Sequence, residues 1–252
     1  MGLVDRYYYA GAGHSAMQRY NDLARQWRRR RFGRRTGRYI AAILLFGTLA
    51  AVVNTPIKWH FEIGLITGAL FATSILMPQV LLPDQIARWE RGAWGEQSTS
   101  RTLRRLNKRV WTSRHDLATD FSDANRDHIV VGHAVYLLDS KFLRDEVVVE
   151  PDGLHVRNYE TGDDYRLNPT RSMIGAATAV SNNLYKSLGF KVWVYPVVVI
   201  WSWFPAGVYW DGDVAYVAGE QVADWIAGRP ADLLTAEKQA AVKAWLKELP
   251  KA

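Results

Sequence analysis

The sequence predicts a mixed α/β domain preceded by a two-helix transmembrane hairpin. Three observations predict it. Two long stretches without a charge, Tyr39 to Ile57 and Ile63 to Pro83, occupy the first third of the chain. From Gly92 onward, short apolar runs alternate with turn sequences and with segments of helical spacing. Within that part, Val192 to Trp201 is a nearly unbroken β-branched run, the pattern of a strand buried on both faces.

The 252 residues carry a net charge of +7, and the charge is unevenly spread. Residues 1–38 hold ten Arg against two Asp, a balance of +8. Residues 39–87 contribute −1, and residues 88–252 balance to zero with 21 basic and 21 acidic side chains. The basic pI therefore belongs to an N-terminal arm, and it is no nucleic-acid signal for the rest of the chain. Cysteine is absent, which excludes a disulfide framework and a thiolate metal site.

The arm is followed by the hairpin. A bilayer core of ~30 Å needs about 20 apolar helical residues. The nineteen residues 39–57 and the twenty-one residues 63–83 meet that length. Lys58 to Glu62 is short enough to be only a tight turn, and Trp59 and Phe61 suit an interface. Pro78 falls inside the second stretch, where it kinks or shortens a helix. Eight arginines between Arg25 and Arg38 precede the first stretch, and Arg88 and Arg91 follow the second. The positive-inside rule then places both termini in the cytoplasm, at the cell membrane, with the lipid bilayer as a partner. Three parts are expected: a basic cytoplasmic arm (1–38), two membrane helices (39–57 and 63–83) and a cytoplasmic domain (88–252).

Within the arm, Met17, Tyr20, Leu23, Ala24 and Trp27 recur at helical spacing. That pattern fits an amphipathic helix on anionic lipid, or a basic arm that only enforces topology. Gly11-Ala12-Gly13 has no strand before it and reads as a flexible tail.

In the domain, Glu96 to Leu106 reads as a helix and Val110-Trp111-Thr112 as the start of a strand. His128 to Val131 and Val135 to Leu138 read as a hairpin about Gly132. Glu146 to Glu150 and Gly153 to Arg157 read as a second hairpin across Pro151-Asp152-Gly153. Ser172 to Leu188 is helical, Val192 to Trp201 and Val214 to Ala218 are strands, and helices at Gln221 to Ala227 and Thr235 to Leu249 finish the chain.

The chemistry-bearing residues lie on the first hairpin. Asp127 stands at the mouth of one apolar run, and Asp139-Ser140-Lys141 ends the next. In a strand, Asp139 and Lys141 point to one face, and Leu138 and Ser140 to the other. Asp127 shares their face only if the paired residue numbers sum to an even value. A three-residue turn Gly132-His133-Ala134, with Val131 opposite Val135, satisfies this. A two-residue turn would put the aspartates on opposite faces. His128 then points away from Asp127 and reads as a packing or hydrogen-bonding residue. Arg101, Arg104, Arg105, Lys108 and Arg109 are candidates for phosphate contacts, or a solvated helix face.

Gly95-Glu96 opening a helix, Asp127-His128 before an apolar run, Asp139-x-Lys141 and the later Val-rich strand resemble the nuclease-related domain (NERD), a PD-(D/E)xK family, over residues 90–210. The resemblance implies a restriction-endonuclease-like core and divalent-metal-dependent hydrolysis of DNA or RNA. It makes Glu96, Asp127, Asp139 and Lys141 the catalytic set. Asp139 stands where Glu is usual, and Asn168 to Ser172 lacks the usual glutamine. The residue types suit Mg²⁺ or Mn²⁺, which prefer hard oxygen ligands. Asp127, Asp139 and Glu96 are the expected metal ligands, and Lys141 the cation that orients water and offsets phosphate charge. The alternative is a binding module for nucleic acid or protein that keeps the fold without the catalysis.

Overall fold

The computed structural model describes residues 12–29, 40, 66, 83–119, 122–229 and 234–251. Its residues fall into two compact units, one of Met1–Met17 with Glu90–Ala252, the other of Gln18–Trp89. The apolar stretches 39–57 and 63–83 lie outside the described residues but for three isolated positions, 40, 66 and 83. Among the described residues, no helix is long and apolar enough to cross a membrane.

The helical spacing of the arm is realised in α1, residues 14–29. A later helix, here α2, spans Asp84–Leu103. It begins twelve residues before the predicted start, so Glu96 lies within the helix and does not open it. The chain turns helical at Asp84, directly after Pro83, whose carbonyl receives the Ile86 and Ala87 amides. Asp84 sits in the first turn, where its charge complements the helix dipole. The helix also stops early, at Leu103, and residues 104–106 continue as turns.

A six-stranded mixed sheet follows, in the order β1-β2-β3-β7-β9-β8. Its strands are β1 (Thr112–Thr119), β2 (Ser122–Val131), β3 (Val135–Phe142), β7 (Val194–Trp201), β8 (Val208–Asp211) and β9 (Val214–Ala218). β1, β2 and β3 run antiparallel, β7 lies parallel to β3 and to β9, and β8 closes the edge antiparallel. A separate antiparallel sheet holds β4 (Glu146–Glu150), β5 (Gly153–Arg157) and β6 (Asp164–Leu167). The β4–β5 hairpin has the expected bounds, with Glu150 opposite Gly153.

The large sheet separates two cores. On one face, α3 (Thr170–Leu188) and α5 (Ala236–Glu248) pack over Ile129, Val135, Leu137, Val198 and Ile200, together with Val147 and Val156 from the small sheet. On the other, the end of α2 and the short α4 (Val222–Gly228) cover Val130, Tyr136, Leu138, Val197 and Val199. β7 alternates between these cores and is buried on both, as its β-branched run predicts.

Two strands escaped the sequence. β6 and β8 are four-residue edge strands, largely exposed or half-buried, with no alternating apolar signal. β2 starts six residues earlier than predicted, because polar Ser122 to Asp127 pairs through its backbone with β1.

Candidate active site

The first hairpin has the register that the site requires. Val131 pairs with Val135, Val130 with Tyr136, Ile129 with Leu137 and His128 with Leu138. The paired ladder ends there, with Asp127 the next residue out on β2 and Asp139 the next on β3. The three-residue turn is closed by the Gly132 amide donating to the Ala134 carbonyl at 2.9 Å. Asp127, Asp139 and Lys141 thus share the sheet face of Ile129 and Leu137.

Local bonds hold each group. The Ser140 amide donates to Asp127 Oδ2 at 2.7 Å. Lys141 Nζ lies 3.0 Å from Asp139 Oδ1 and 2.8 Å from Oδ2, a contact across both carboxylate oxygens. Glu96 comes from α2, which lies tightly against the end of β3: a Cβ on Gly95 would stand 3.3 Å from Phe142 Cβ and 3.7 Å from Ser140 Cβ. That close approach accounts for a glycine inside a helix, where it otherwise costs about 1 kcal/mol. Glu96 Oε2 accepts the Gly13 amide at 3.0 Å. The expectation of a flexible tail at Ala12 and Gly13 is thereby corrected: Ala12 is buried and Gly13 is bonded. The tail reading rested on a missing upstream strand, whereas the partner is a helix 83 residues away.

The four predicted residues therefore act on one another electrostatically. Burial, and then the Asp116 and Asp139 carboxylates, push Glu96 up to about 7, against the pull of the Gly13 amide and Lys141. Burial, then Asp139 and Glu96, hold Asp127 well above the usual carboxylate range. Burial alone would lower Lys141, but Asp139, Asp127 and Glu96 raise it, so it stays an ammonium at neutral pH.

A fourth carboxylate was not foreseen. Asp116 of β1 is 2 % exposed and adopts a left-handed backbone, φ 51°. It accepts the Ser15 amide at 2.9 Å on Oδ2 and the Ser15 hydroxyl at 2.7 Å on Oδ1. The polar run Ser113-Arg114-His115-Asp116 carries no motif that would single it out.

Behind the site, on the opposite face, a buried polar chain ties β1, β2, β3 and α2 together. His115 Nδ1 and His128 Nδ1 lie 2.7 Å apart, His128 Nε2 and Ser140 Oγ 3.1 Å, and Ser140 Oγ and Thr99 Oγ1 2.7 Å. Thr99 Oγ1 donates to the Gly95 carbonyl at 3.1 Å and accepts from Trp201 Nε1 at 2.8 Å. Each hydroxyl has one proton, so the bond to Gly95 fixes every other direction: Ser140 donates to Thr99, His128 Nε2 to Ser140, and His115 Nδ1 to His128. His128 must then be neutral, because its Nδ1 accepts while its Nε2 donates. Burial favours that state, lowering His128 well below its ordinary value and His115 to about 4. His128 is thus a structural link, as its strand parity predicts.

The candidate phosphate contacts are mixed. Arg101, Arg104, Arg105 and Lys108 are exposed at the end of α2 and in the turn after it. Arg105 is engaged, with Nη2 2.5 Å from Asp224 Oδ2 and Nη1 donating to the Glu220 carbonyl at 3.0 Å.

Hard oxygen ligands crowded until their acidity falls are the donor set that a divalent ion suits. Glu96 and Asp127 meet that condition, but Glu96, Asp127 and Asp139 do not bring their ligand oxygens within 4.8 Å of one another here. Among the described residues, one group of ligand-bearing side chains lies within 4.8 Å of one another, Glu150, Asp152 and His155 on the small sheet. Its members are already paired: His155 bonds Asp152 and Asp164, and Arg157 bonds Glu150 and Asp164.

Residues 91–201 match the family model of the nuclease-related domain, NERD. That span is less than half of the chain. The matched span holds Glu96, Asp127, Asp139 and Lys141, and it ends with β7. No curated protein and no solved structure matches the chain.

Proposed function

We propose that this protein is a membrane-anchored, metal-dependent nuclease acting on DNA or RNA at the cytoplasmic face. The observation that carries the catalytic part is the register of the first hairpin. It puts Asp127 on the sheet face of the Asp139–Lys141 pair, and the charge of Glu96 on α2 acts on Asp127. The match to the nuclease-related domain over residues 91–201 supports a nucleic-acid substrate. The two charge-free stretches and the arginines around them support the anchor, and with it the division into arm (1–38), hairpin (39–83) and domain (88–252).

In this reading Asp127, Asp139 and Glu96 hold Mg²⁺ or Mn²⁺. Such an ion, when bound, makes a water nucleophilic near neutral pH and offsets phosphate charge. The protein's own groups do the rest. The Ser140 amide fixes the rotamer of Asp127. Lys141 remains charged beside Asp139 and presents its ammonium to a phosphate oxygen or the attacking water. The half-buried setting lowers the local dielectric and strengthens these interactions. Arg104 and Lys108 are exposed cations for backbone phosphates, a sequence-independent contact that weakens with salt.

The test is cleavage of labelled single- and double-stranded DNA and RNA by the full chain with Mg²⁺ or Mn²⁺. Cleavage that vanishes in Lys141→Ala and in chelator is the expected result. Intact substrates of every form, with the protein folded, would refute catalysis.

A further inference from the structure

We propose that the segment around Gly13 and Ser15 is a built part of the candidate active site, two positioning residues that hold Glu96 and Asp116 in place. The inference rests on the metal-binding reading of Glu96, Asp127 and Asp139 given above.

The contacts reach far along the chain and are polar. The Gly13 amide spans 83 residues to Glu96 Oε2, and Ser15 spans 101 residues to Asp116. Ser15 takes both oxygens of Asp116, one with its amide and one with its hydroxyl. These donors go to the two acids that the sheet leaves without a strand amide or a lysine. Asp127 has the Ser140 amide and Asp139 has Lys141. Glu96 and Asp116 have residues 13 and 15. Each carboxylate of the cluster thus has a dedicated donor, two from β3 and two from the N-terminal segment.

The backbone on both sides is shaped for this contact. Gly13 has φ 71°, and a Cβ there would stand 2.7 Å from the Ala93 carbonyl oxygen, within the same helix as Glu96. Only glycine allows that approach without moving the segment. Asp116 holds a left-handed φ of 51°, a conformation that costs a non-glycine residue of order 1–3 kcal/mol. β1 still pairs with β2 on either side of it, His115 with His128 and Leu117 with Arg126. The strained residue is flanked by paired positions and bonds Ser15 through its side chain, and the ladder shifts register between Leu117 and Thr119. A segment docked merely to cover apolar surface would require neither the glycine nor the strain.

Groups that orient metal ligands affect metal affinity by roughly 10- to 100-fold when removed. The experiment is calorimetric titration of Mn²⁺ into the full chain and into Gly13→Ala, Ser15→Ala, Ser15→Thr and Asp139→Ala, with the thermal midpoint of each recorded in chelator. Ser15→Ala and Gly13→Ala are expected to bind Mn²⁺ about 10-fold more weakly or worse while staying folded in chelator. Ser15→Thr keeps both donors and is expected to bind within about twofold of the parent. Parent-like Mn²⁺ affinity in Ser15→Ala and Gly13→Ala, with binding lost in Asp139→Ala, would overturn the positioning role and leave the metal site standing. Should Gly13→Ala not fold, Ser15→Ala alone decides. Parent and Asp139→Ala binding alike, or not at all, would overturn the metal reading and this proposal with it.

Discussion

Ser140 donates its amide to Asp127 Oδ2 at 2.7 Å, while its hydroxyl joins His128 and Thr99 on the opposite face of the sheet. One residue of β3 thus belongs to the site by its backbone and to the supporting network by its side chain. Asp127 and the buried polar chain lie on two sides of the same strand. Ser140→Ala is expected to leave Asp127 in place while freeing His128 Nε2 and Thr99. Stability should fall by about 1–3 kcal/mol, the cost of buried polar groups left unpaired, as urea unfolding would measure.

His128→Ala is the harsher change. It strands the His115 donor and the Ser140 acceptor together, and it empties volume under the sheet. A loss of about 2–4 kcal/mol is expected. Nitrogen chemical shifts of the wild-type imidazoles should show His128 protonated on Nε2 and His115 on Nδ1, both neutral at pH 7. A charged His128 at that pH would break the assigned chain of bonds.

Glu96 and His115 impose opposite pH dependences. Glu96 is raised from 4.5 to about 7, so its contribution to metal-free stability is fully present below pH 4.5 and is lost as pH rises through 7. His115 is lowered from 6.5 to about 4, so its contribution is fully present above pH 6.5 and is lost as pH falls through 4. Between about pH 4.5 and 6.5 the two slopes offset. Glu96→Gln should uncover the histidine slope, giving a variant whose stability in chelator rises with pH across that window. It should also be more stable than the parent at pH 8, since it removes one of several crowded charges. Thermal midpoints from pH 4 to 8 would check both statements.

Metal binding should release protons for the same reason. A cation binds the ionised carboxylates, so Mn²⁺ affinity is expected to rise with pH through 7, where Glu96 ionises. Glu96→Gln should bind more weakly and lose that part of the rise. Calorimetric titrations in buffers of different ionisation enthalpy would count the protons.

Much of this arrangement was legible in the sequence, for identifiable reasons. Parity said which hairpin register the site requires, because side chains in a strand alternate strictly, but the sequence left the turn length open and the structure has the three-residue turn. The β4–β5 hairpin followed from Pro151-Asp152-Gly153, whose backbone preferences leave few other shapes. β7 followed from its β-branched run. What stayed hidden depends on contacts between distant segments. Asp116 sits in a polar strand without a pattern, and its role comes from Ser15, 101 residues away. Gly13 resembled a loose tail because the partner of its amide, Glu96, is 83 residues away. α2 was placed too late because its first turns lack an apolar face, and Gly92 and Gly95 disguise a helix that packs closely on β3. β6 and β8 are edges, held by backbone bonds that no side-chain pattern records.

The central claim is that Glu96, Asp127 and Asp139 hold one divalent ion beside Lys141 for phosphodiester hydrolysis. Its most direct measurement is Mn²⁺-dependent cleavage of a labelled nucleic acid by the full chain, read in parallel with Mn²⁺ binding for the parent and for Lys141→Ala. The expected result is cleavage by the parent, and Mn²⁺ binding without cleavage by Lys141→Ala. Equal cleavage by both proteins, or none by a folded, Mn²⁺-loaded parent on any DNA or RNA form, would contradict it.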